Sequence, residues 1–536
     1  MRRVVRLVLA GLARVLTSET AVASSVLEVP DNGSEAMARG GAWIARATDP
    51  LATTFNPAGL AGQATRLTLQ TNIVVQHTCF ARLRAATDGS VDPLVSASGR
   101  FPRVCNDIEP EPNPQLAATF RIDDRLALGI SVGGPAAAGS KTWPEFVEDG
   151  DGKRRASPQR YLLTRQTSLV LVPTIGVGYQ VLPELRIGAS FGWGIAHIKS
   201  AAATVALANG FQTSDNDIRA KVQVADAFVP RASLGAIWRL SSRVDLAGWY
   251  QWTDAIRATG DLGTASSYYT AANARGDASR VGYADTIFSD CGTGRLQDAG
   301  KCGDGDNAKL TLPLPMEAKL GLRLHQPREG APRSAVRDPL ATERWDAEVD
   351  LTWANNSAID AIEVRFPGDA SGAGRLPVSG INAEIPPNAD QVRRYRDVLG
   401  IRAGGDLVVV PDVLAVRGGA FYETSANREP YQHIELPATA RFGVALGLTT
   451  RIRLGERALE LMGGYGHTFF ADAVREDANA SGIGATAGTS CAGTAVPASR
   501  TTCSDGSERF RTRWPVNLGT IKNALNVIHV GVAYRF

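Results

Sequence analysis

No run of about 18 apolar residues occurs anywhere in this chain, so a helical membrane span is excluded. Histidine is scarce, with 6 dispersed residues, and none of the 6 cysteines sits in a CxxC, which argues against a zinc site. Neither sign of charge prevails: 57 Lys and Arg face 54 Asp and Glu, a net charge of +3, and nothing favours nucleic acid as a partner. There is also no composition break that would divide 536 residues into several ordinary domains.

What is present is alternation. At the C-terminus Ile528, Val530, Val532, Tyr534 and Phe536 share one face of a strand, and His529, Gly531, Ala533 and Arg535 the other. Phe442, Val444, Leu446 and Leu448 alternate with Arg441, Gly443, Ala445 and Gly447. Trp345, Ala347, Val349, Leu351 and Trp353 alternate with Asp346, Glu348, Asp350 and Thr352, and three acids on an inner face suit a wet lumen rather than a dry sandwich core. Fourteen such stretches are predicted, at 67–77, 115–122, 125–133, 168–180, 184–199, 228–240, 243–254, 311–325, 344–355, 396–409, 412–424, 438–452, 456–469 and 524–536. The reading is an all-β, 14-stranded antiparallel transmembrane β-barrel of the bacterial outer membrane, both chain ends in the periplasm.

The linkers alternate too. Asp123-Asp124, Leu182-Pro183, Ser241-Ser242, Val410-Pro411 and Leu454-Gly455 are tight periplasmic turns, whereas Gln326 to Glu343 is too long for one. The remaining linkers are mostly long, polar and rich in Gly, Asp and Pro, as outer-surface loops are. All six cysteines fall in three of them, 78–114, 255–310 and 470–523, with Cys79–Cys105, Cys291–Cys302 and Cys491–Cys503 the simplest disulfides. Trp193, Trp252, Trp353 and Phe469 near outer strand ends, with Trp238, Tyr534 and Phe536 near inner ends, read as interface girdles.

Residues 1–23 read as an export signal: Arg2, Arg3 and Arg6, then Leu7 to Leu16, then Ala21-Val22-Ala23 as the cleavage site. Residues 24–66 do not look like strand. Ser34 to Arg39 and Ala42 to Ala47 suggest short helices, and Asn56-Pro57-Ala58-Gly59 a sharp turn. Few charges and moderate hydrophobicity favour folding into the lumen as a small helical hatch, or plug; residues 67–536 are then the barrel with its long extracellular loops.

With Arg39, Gly40-Gly41, Ala47 and Asp49, the Asn56-Pro57-Ala58-Gly59 turn resembles the N-terminal hatch of the FadL/TodX-type outer-membrane transporters of long-chain fatty acids and hydrocarbons. A second match is the hairpin Tyr395 to Asp406 and Leu414 to Tyr422, with its Gly-rich first strand and Arg417-Gly418 in the second; the terminal Phe536 agrees as well. The resemblance covers barrel and hatch but not the long loops. It implies a channel for passive uptake of hydrophobic molecules. Substrate would land between outer loops, reach a lumen pocket, and leave sideways at a kinked third strand after the hatch rearranges. The family's apolar residue near the pocket would fall at about Leu27.

Gly133-Gly134-Pro135 follows the third strand and suits either that kink, since Pro lacks a ladder donor, or an ordinary strand end. The inward set Gly188, Ser190, Gly192, Gly194 and Ala196 leaves room for hatch or ligand, or simply permits curvature. Inward Glu317, Lys319, Arg323, Glu348, Arg402, Arg417, Glu423 and Arg441 suit a charge network holding the hatch or, in the alternative reading, the filter of a general porin for polar solutes. Gly188 to Gly192 matches G-x-S-x-G, but a nucleophile elbow needs a strand-to-helix turn and Ser190 lies mid-strand, with His197 on the other face. No enzyme, cofactor or metal site is therefore expected; Asp149-Gly150-Asp151-Gly152 and Asp304-Gly305-Asp306 lack the following Glu of a calcium loop. The expected surroundings are outer-membrane lipid and lipopolysaccharide, with the chain a monomer.

Overall fold

The structure, a computed structural model, describes residues 32–84, 92–135, 139–205, 217–265, 308–330, 336–365, 390–476 and 516–536, with short pieces of the intervening loops. Alternation with period two puts one face of each strand in lipid and the other inward, and fourteen long strands satisfy this by closing into one antiparallel barrel. In chain order they are β1 (Arg66–Arg82), β2 (Glu111–Arg121), β3 (Leu126–Gly133), β4 (Arg165–Leu182), β5 (Leu185–Val205), β6 (Asp217–Ser241) and β7 (Val244–Thr253). The second half comprises β8 (Glu317–Pro327), β9 (Glu343–Ala354), β10 (Val398–Val410), β11 (Leu414–Glu423), β12 (Arg441–Leu454), β13 (Arg457–Phe470) and β14 (Gly519–Arg535). Each pairs with its sequence neighbour, and β14 closes on β1 from Arg66↔Arg535 to Arg82↔Gly519.

The outward faces are apolar: Leu69, Ile130, Ile175, Leu234, Leu320, Leu446 and Ile528 are all exposed. Above and below them Trp193, Trp252 and Phe469, and then Trp238 and Phe536, are exposed as girdle residues. Inward, Asp346, Glu348, Asp350 and Thr352 of β9 are buried, so the alternation predicted there holds.

A span needs only about 9–11 residues. Strands β4, β5 and β6 have 18, 21 and 25 and run on past the membrane. There Ile256–Ala265, Ala308–Leu312 and Ala361–Arg365 extend the sheet. Two expectations are corrected. The stretch 311–325 is not one strand, because Pro313 and Pro315 interrupt it; Ala308–Leu312 pairs with Ile256–Ala265, and β8 starts at Glu317. Cys79 lies within β1 rather than in a loop, opposite Cys105, to which it is bonded. The other two expected disulfides lie outside the described residues, as does Asp304-Gly305-Asp306.

The outer loops build a core of their own from Phe80, Trp143, Tyr161, Tyr269, Ile434 and Val516, among others. Arg82 lies over the rings of Phe101 and Tyr161, 4.7 and 5.6 Å from their centres. The Asp149 carboxylate is taken up by its own turn: it accepts from the N–H groups of Asp151 and Lys153 and from Arg155.

Candidate functional site

Residues 32–65 lie inside the barrel. They form two short helices, α1 (Ser34–Ala38) and α2 (Ala52–Phe55), and a 3-10 turn, Pro57–Leu60. The turn explains its own residues. Asn56 accepts from the Ala58 N–H at 3.2 Å and donates to the Ile44 carbonyl at 2.8 Å, so one side chain caps the turn and ties it to the preceding loop. Pro57 fills the first position, where no N–H is needed. A Cβ at Gly59 would stand 2.3 Å from the Ala47 carbonyl oxygen, so only Gly fits. Gln63 then donates to the carbonyls of Ala47, Asp49 and Gly59 and accepts from Thr119 of β2.

The wall is cut to this segment all the way round. A Cβ at Gly188 of β5 would stand 2.2 Å from the Pro57 carbonyl carbon, one at Gly178 of β4 2.7 Å from the Ala61 nitrogen, and one at Gly235 of β6 1.9 Å from Asn56 Oδ1. Across the lumen a Cβ at Gly404 of β10 or Gly419 of β11 would stand 2.1 Å from the Arg39 backbone, and one at Gly466 of β13 would run into Met37. The small inner face of β5 therefore makes room for the Asn56–Ala58 turn. Ser190 hydrogen-bonds Ser233 of β6 at 2.7 Å, and Gly192 meets Val172, Thr174 and Arg231 of the wall.

Charge does the rest. Arg39 pairs with Asp346 and Asp406 at 2.6 Å each and with Glu348 at 3.3 Å; Arg46 pairs with Asp346 and, at 3.0 Å, Asp406. Glu348 accepts from the N–H groups of Ala45 and Arg46, and Asp350 from those of Trp43 and Ile44. The inner acids of β9 thus face guanidinium and backbone N–H rather than water, as buried charge must. Arg323 and Arg417 join this cluster through Asp346 and Asp406. Arg402, Glu423 and Arg441 form a separate triad, and Glu317 and Lys319 line a cavity.

Two cavities lie on the outer side of the segment. One is walled mainly by aliphatic side chains, among them Val229, Ile256, Leu310, Leu312 and Ile362. The other is lined by Phe55, Trp249, Glu317, Lys319, Gly133 and Gly134 among others. Val172 and Arg231 line both. Pro135 lines the first, so Gly133-Gly134-Pro135 sits where the two meet.

Among the described residues, Gly134 and Pro135 belong to no strand: they follow the last β3–β4 pair, Gly133↔Val172, and Gly139–Thr142 pairs with β4 from Gly139↔Ser168. A Cβ at Gly134 would stand 2.0 Å from the Val170 oxygen. Asn32 donates to the Gly134 carbonyl at 2.6 Å and accepts from Asn113 of β2 at 2.8 Å. Sequence reading did not single out Asn32, Val172 or Arg231, whose roles depend on what lies across the lumen. Leu27 lies outside the described residues.

A family model described as an outer membrane protein transport protein (OMPP1/FadL/TodX) matches residues 13–501. Among solved structures, the fold is similar to that of a Pseudomonas aeruginosa FadL homologue, at 16% identity and TM-score 0.63, with 96% of this chain and 100% of that one covered. It is similar to the Pseudomonas putida toluene transporter TodX at 14% and 0.53, covering 95% and 99%. It is also similar to the Ralstonia pickettii toluene transporter TbuX at 13% and 0.52, covering 94% and 98%. No curated protein sequence matches the chain.

Proposed function

The chain belongs to the OMPP1/FadL/TodX family of outer membrane transport proteins, transporters of hydrophobic compounds, and from that premise we propose a hatch-gated lateral route for its substrate. A hydrophobic molecule, a long-chain fatty acid or one of similar character, enters the aliphatic outer cavity. It passes the neck at Val172 and Arg231 into the inner cavity and leaves sideways into the membrane at Gly133-Gly134-Pro135. The N-terminal segment, with Asn56-Pro57-Ala58-Gly59 as its rigid turn, is the hatch that controls this step. The chain acts as a monomer in outer-membrane lipid, against lipopolysaccharide at its outer end, without a cofactor.

The observation that carries this reading is that both cavities share Val172 and Arg231 and reach Gly133-Gly134-Pro135 at the end of β3, together with the hydrogen bond from Asn32 of the segment to the Gly134 carbonyl. Motion of the segment is thereby linked to the end of β3. An open polar porin would need the segment outside the lumen, and the ion pairs of Arg39 and Arg46 with the wall count against that.

The test is labelled oleate uptake by cells lacking their own transporter, expressing the intact protein or Asn56→Ala. Loss of the two Asn56 hydrogen bonds costs the hatch about 1–3 kcal/mol, so uptake should appear with the intact protein and change severalfold in the variant. Inserted protein without uptake would remove oleate as substrate; equal uptake by both would remove the hatch.

A further inference from the structure

The connection between β8 and β9, too long for a periplasmic turn, takes no part in the route described above. Its second half nevertheless turns up into the barrel mouth. Val336–Thr342 places two adjacent residues against two different bodies. Arg337 reaches the N-terminal segment: its N–H donates to the Gly62 carbonyl at 2.7 Å and its guanidinium to the Arg46 carbonyl at 3.0 Å. Asp338 reaches the wall: its carboxylate takes two hydrogen bonds of 2.8 Å from Arg451 of β12 and pairs with Arg535 of β14.

The anchor is reinforced from the side. The Leu340 carbonyl accepts from the N–H of Asp412, in the turn between β10 and β11, at 2.9 Å. Asp412 holds a φ of 65°, unfavourable for a non-glycine residue, while Arg451 and Arg453 grip its carboxylate. Burial by itself would raise the Asp338 carboxyl, but hydrogen bonding and charge from Arg451, then Arg535, hold it at about 2, so the anchor stays ionised across any ordinary pH. Below the N-terminal segment lies a space lined by Glu35, Arg46, Arg66, Arg337, Arg451 and Glu460 among others. Such a lining admits water and ions and repels hydrocarbon.

We propose that Arg337 and Asp338 form a clasp that locks the N-terminal segment to the barrel wall from below, sealing the axial path to ions so that exit remains lateral. Both are positioning residues, and the proposal rests on the reading of that segment as a movable hatch. With the clasp cut, the segment loses its support from below, and a downward shift against its remaining ion pairs to Asp346 and Asp406 joins the charged space beneath it to the lumen as a water-filled pore.

The experiment is ion current through planar bilayers holding the full-length protein, with Asp338→Asn or Arg337→Gln, each preparation checked for a heat-modifiable folded band. Mean current is expected to rise at least tenfold over the parent in both, and Asp338→Glu to return it toward the parent. Arg337→Gln keeps the backbone bond to Gly62 and removes the guanidinium bond to the Arg46 carbonyl, so it tests the side-chain contact even if Asp338→Asn fails to insert. Folded variants with the parent's current would overturn the clasp, as would lowered heat stability without added current. Oleate uptake on the same strains separates the two readings. A parent without uptake sinks the substrate assignment whatever the currents. A parent with uptake that responds to Asn56→Ala, beside unchanged currents, sinks the clasp alone.

Discussion

The inner and outer halves of the lumen share one wall and are built on opposite rules. In the inner half wall positions have named partners in residues 32–65: Gly188 with Pro57, Gly404 with Arg39, Asp350 with the N–H groups of Trp43 and Ile44, Asp346 with Arg39 and Arg46. In the outer half the aliphatic Val229, Ile256, Leu310, Leu312 and Ile362 supply most of the cavity wall, with Arg231 and Glu435 the charged residues among them. Sealing a pore against ions needs charges and hydrogen bonds matched one to one, because each unmatched buried group is costly. Holding a hydrophobe needs only apolar area, which does not discriminate by direction. On the proposed route, one barrel is then strict about what it closes with and permissive about what it carries.

The comparison can be broken most severely at Asp346. Asp346→Ala removes the shared partner of Arg39, Arg46 and Arg323 and leaves buried cations, an expected loss of roughly 3–5 kcal/mol in docking of the N-terminal segment. Limited proteolysis of the folded protein should then cut within residues 32–65, where the parent resists. Next in size is Gly188→Val, which forces a side chain into the Asn56–Ala58 turn at a cost of roughly 1–3 kcal/mol. Hydrogen exchange at residues 52–62 should accelerate by one to two orders of magnitude at about 1.4 kcal/mol per tenfold.

The smallest effect is expected from Leu312→Ala in the outer cavity. Losing a few methylenes from a greasy wall should raise the half-saturating substrate concentration by roughly fivefold, about 1 kcal/mol, with exchange at 52–62 unaltered. Were Leu312→Ala to loosen the N-terminal segment, or Gly188→Val to act only on substrate affinity, the division into a closing half and a carrying half would be wrong.

Much of the barrel was legible residue by residue. Alternation is a local property, so Ile528, Val530 and Val532 declare their outward face without reference to any other strand. Tight turns such as Asp123-Asp124 mark the periplasmic edge for the same reason, and Asp123 does bind the N–H groups of Arg125 and Leu126. The Asn56-Pro57-Ala58-Gly59 turn was legible because its cap and its proline act within four residues. Legibility failed where a short-range signal had two meanings. Pro313 and Pro315 lay inside a run that alternated well, and Cys79 lay on a strand that outlasted its apolar pattern.

Local periodicity, then, determined the strand count, the facing of each side chain and the presence of a non-strand segment ahead of the barrel, because neighbours in the chain set those. Only the tertiary structure decided that Gly188 makes room for Pro57, that Arg39 finds Asp346 at a separation of 307 residues, and that the two cavities share Val172 and Arg231. An inward-facing side chain meets whatever the closure of the cylinder brings across the lumen, and closure depends on the register of all fourteen strands at once.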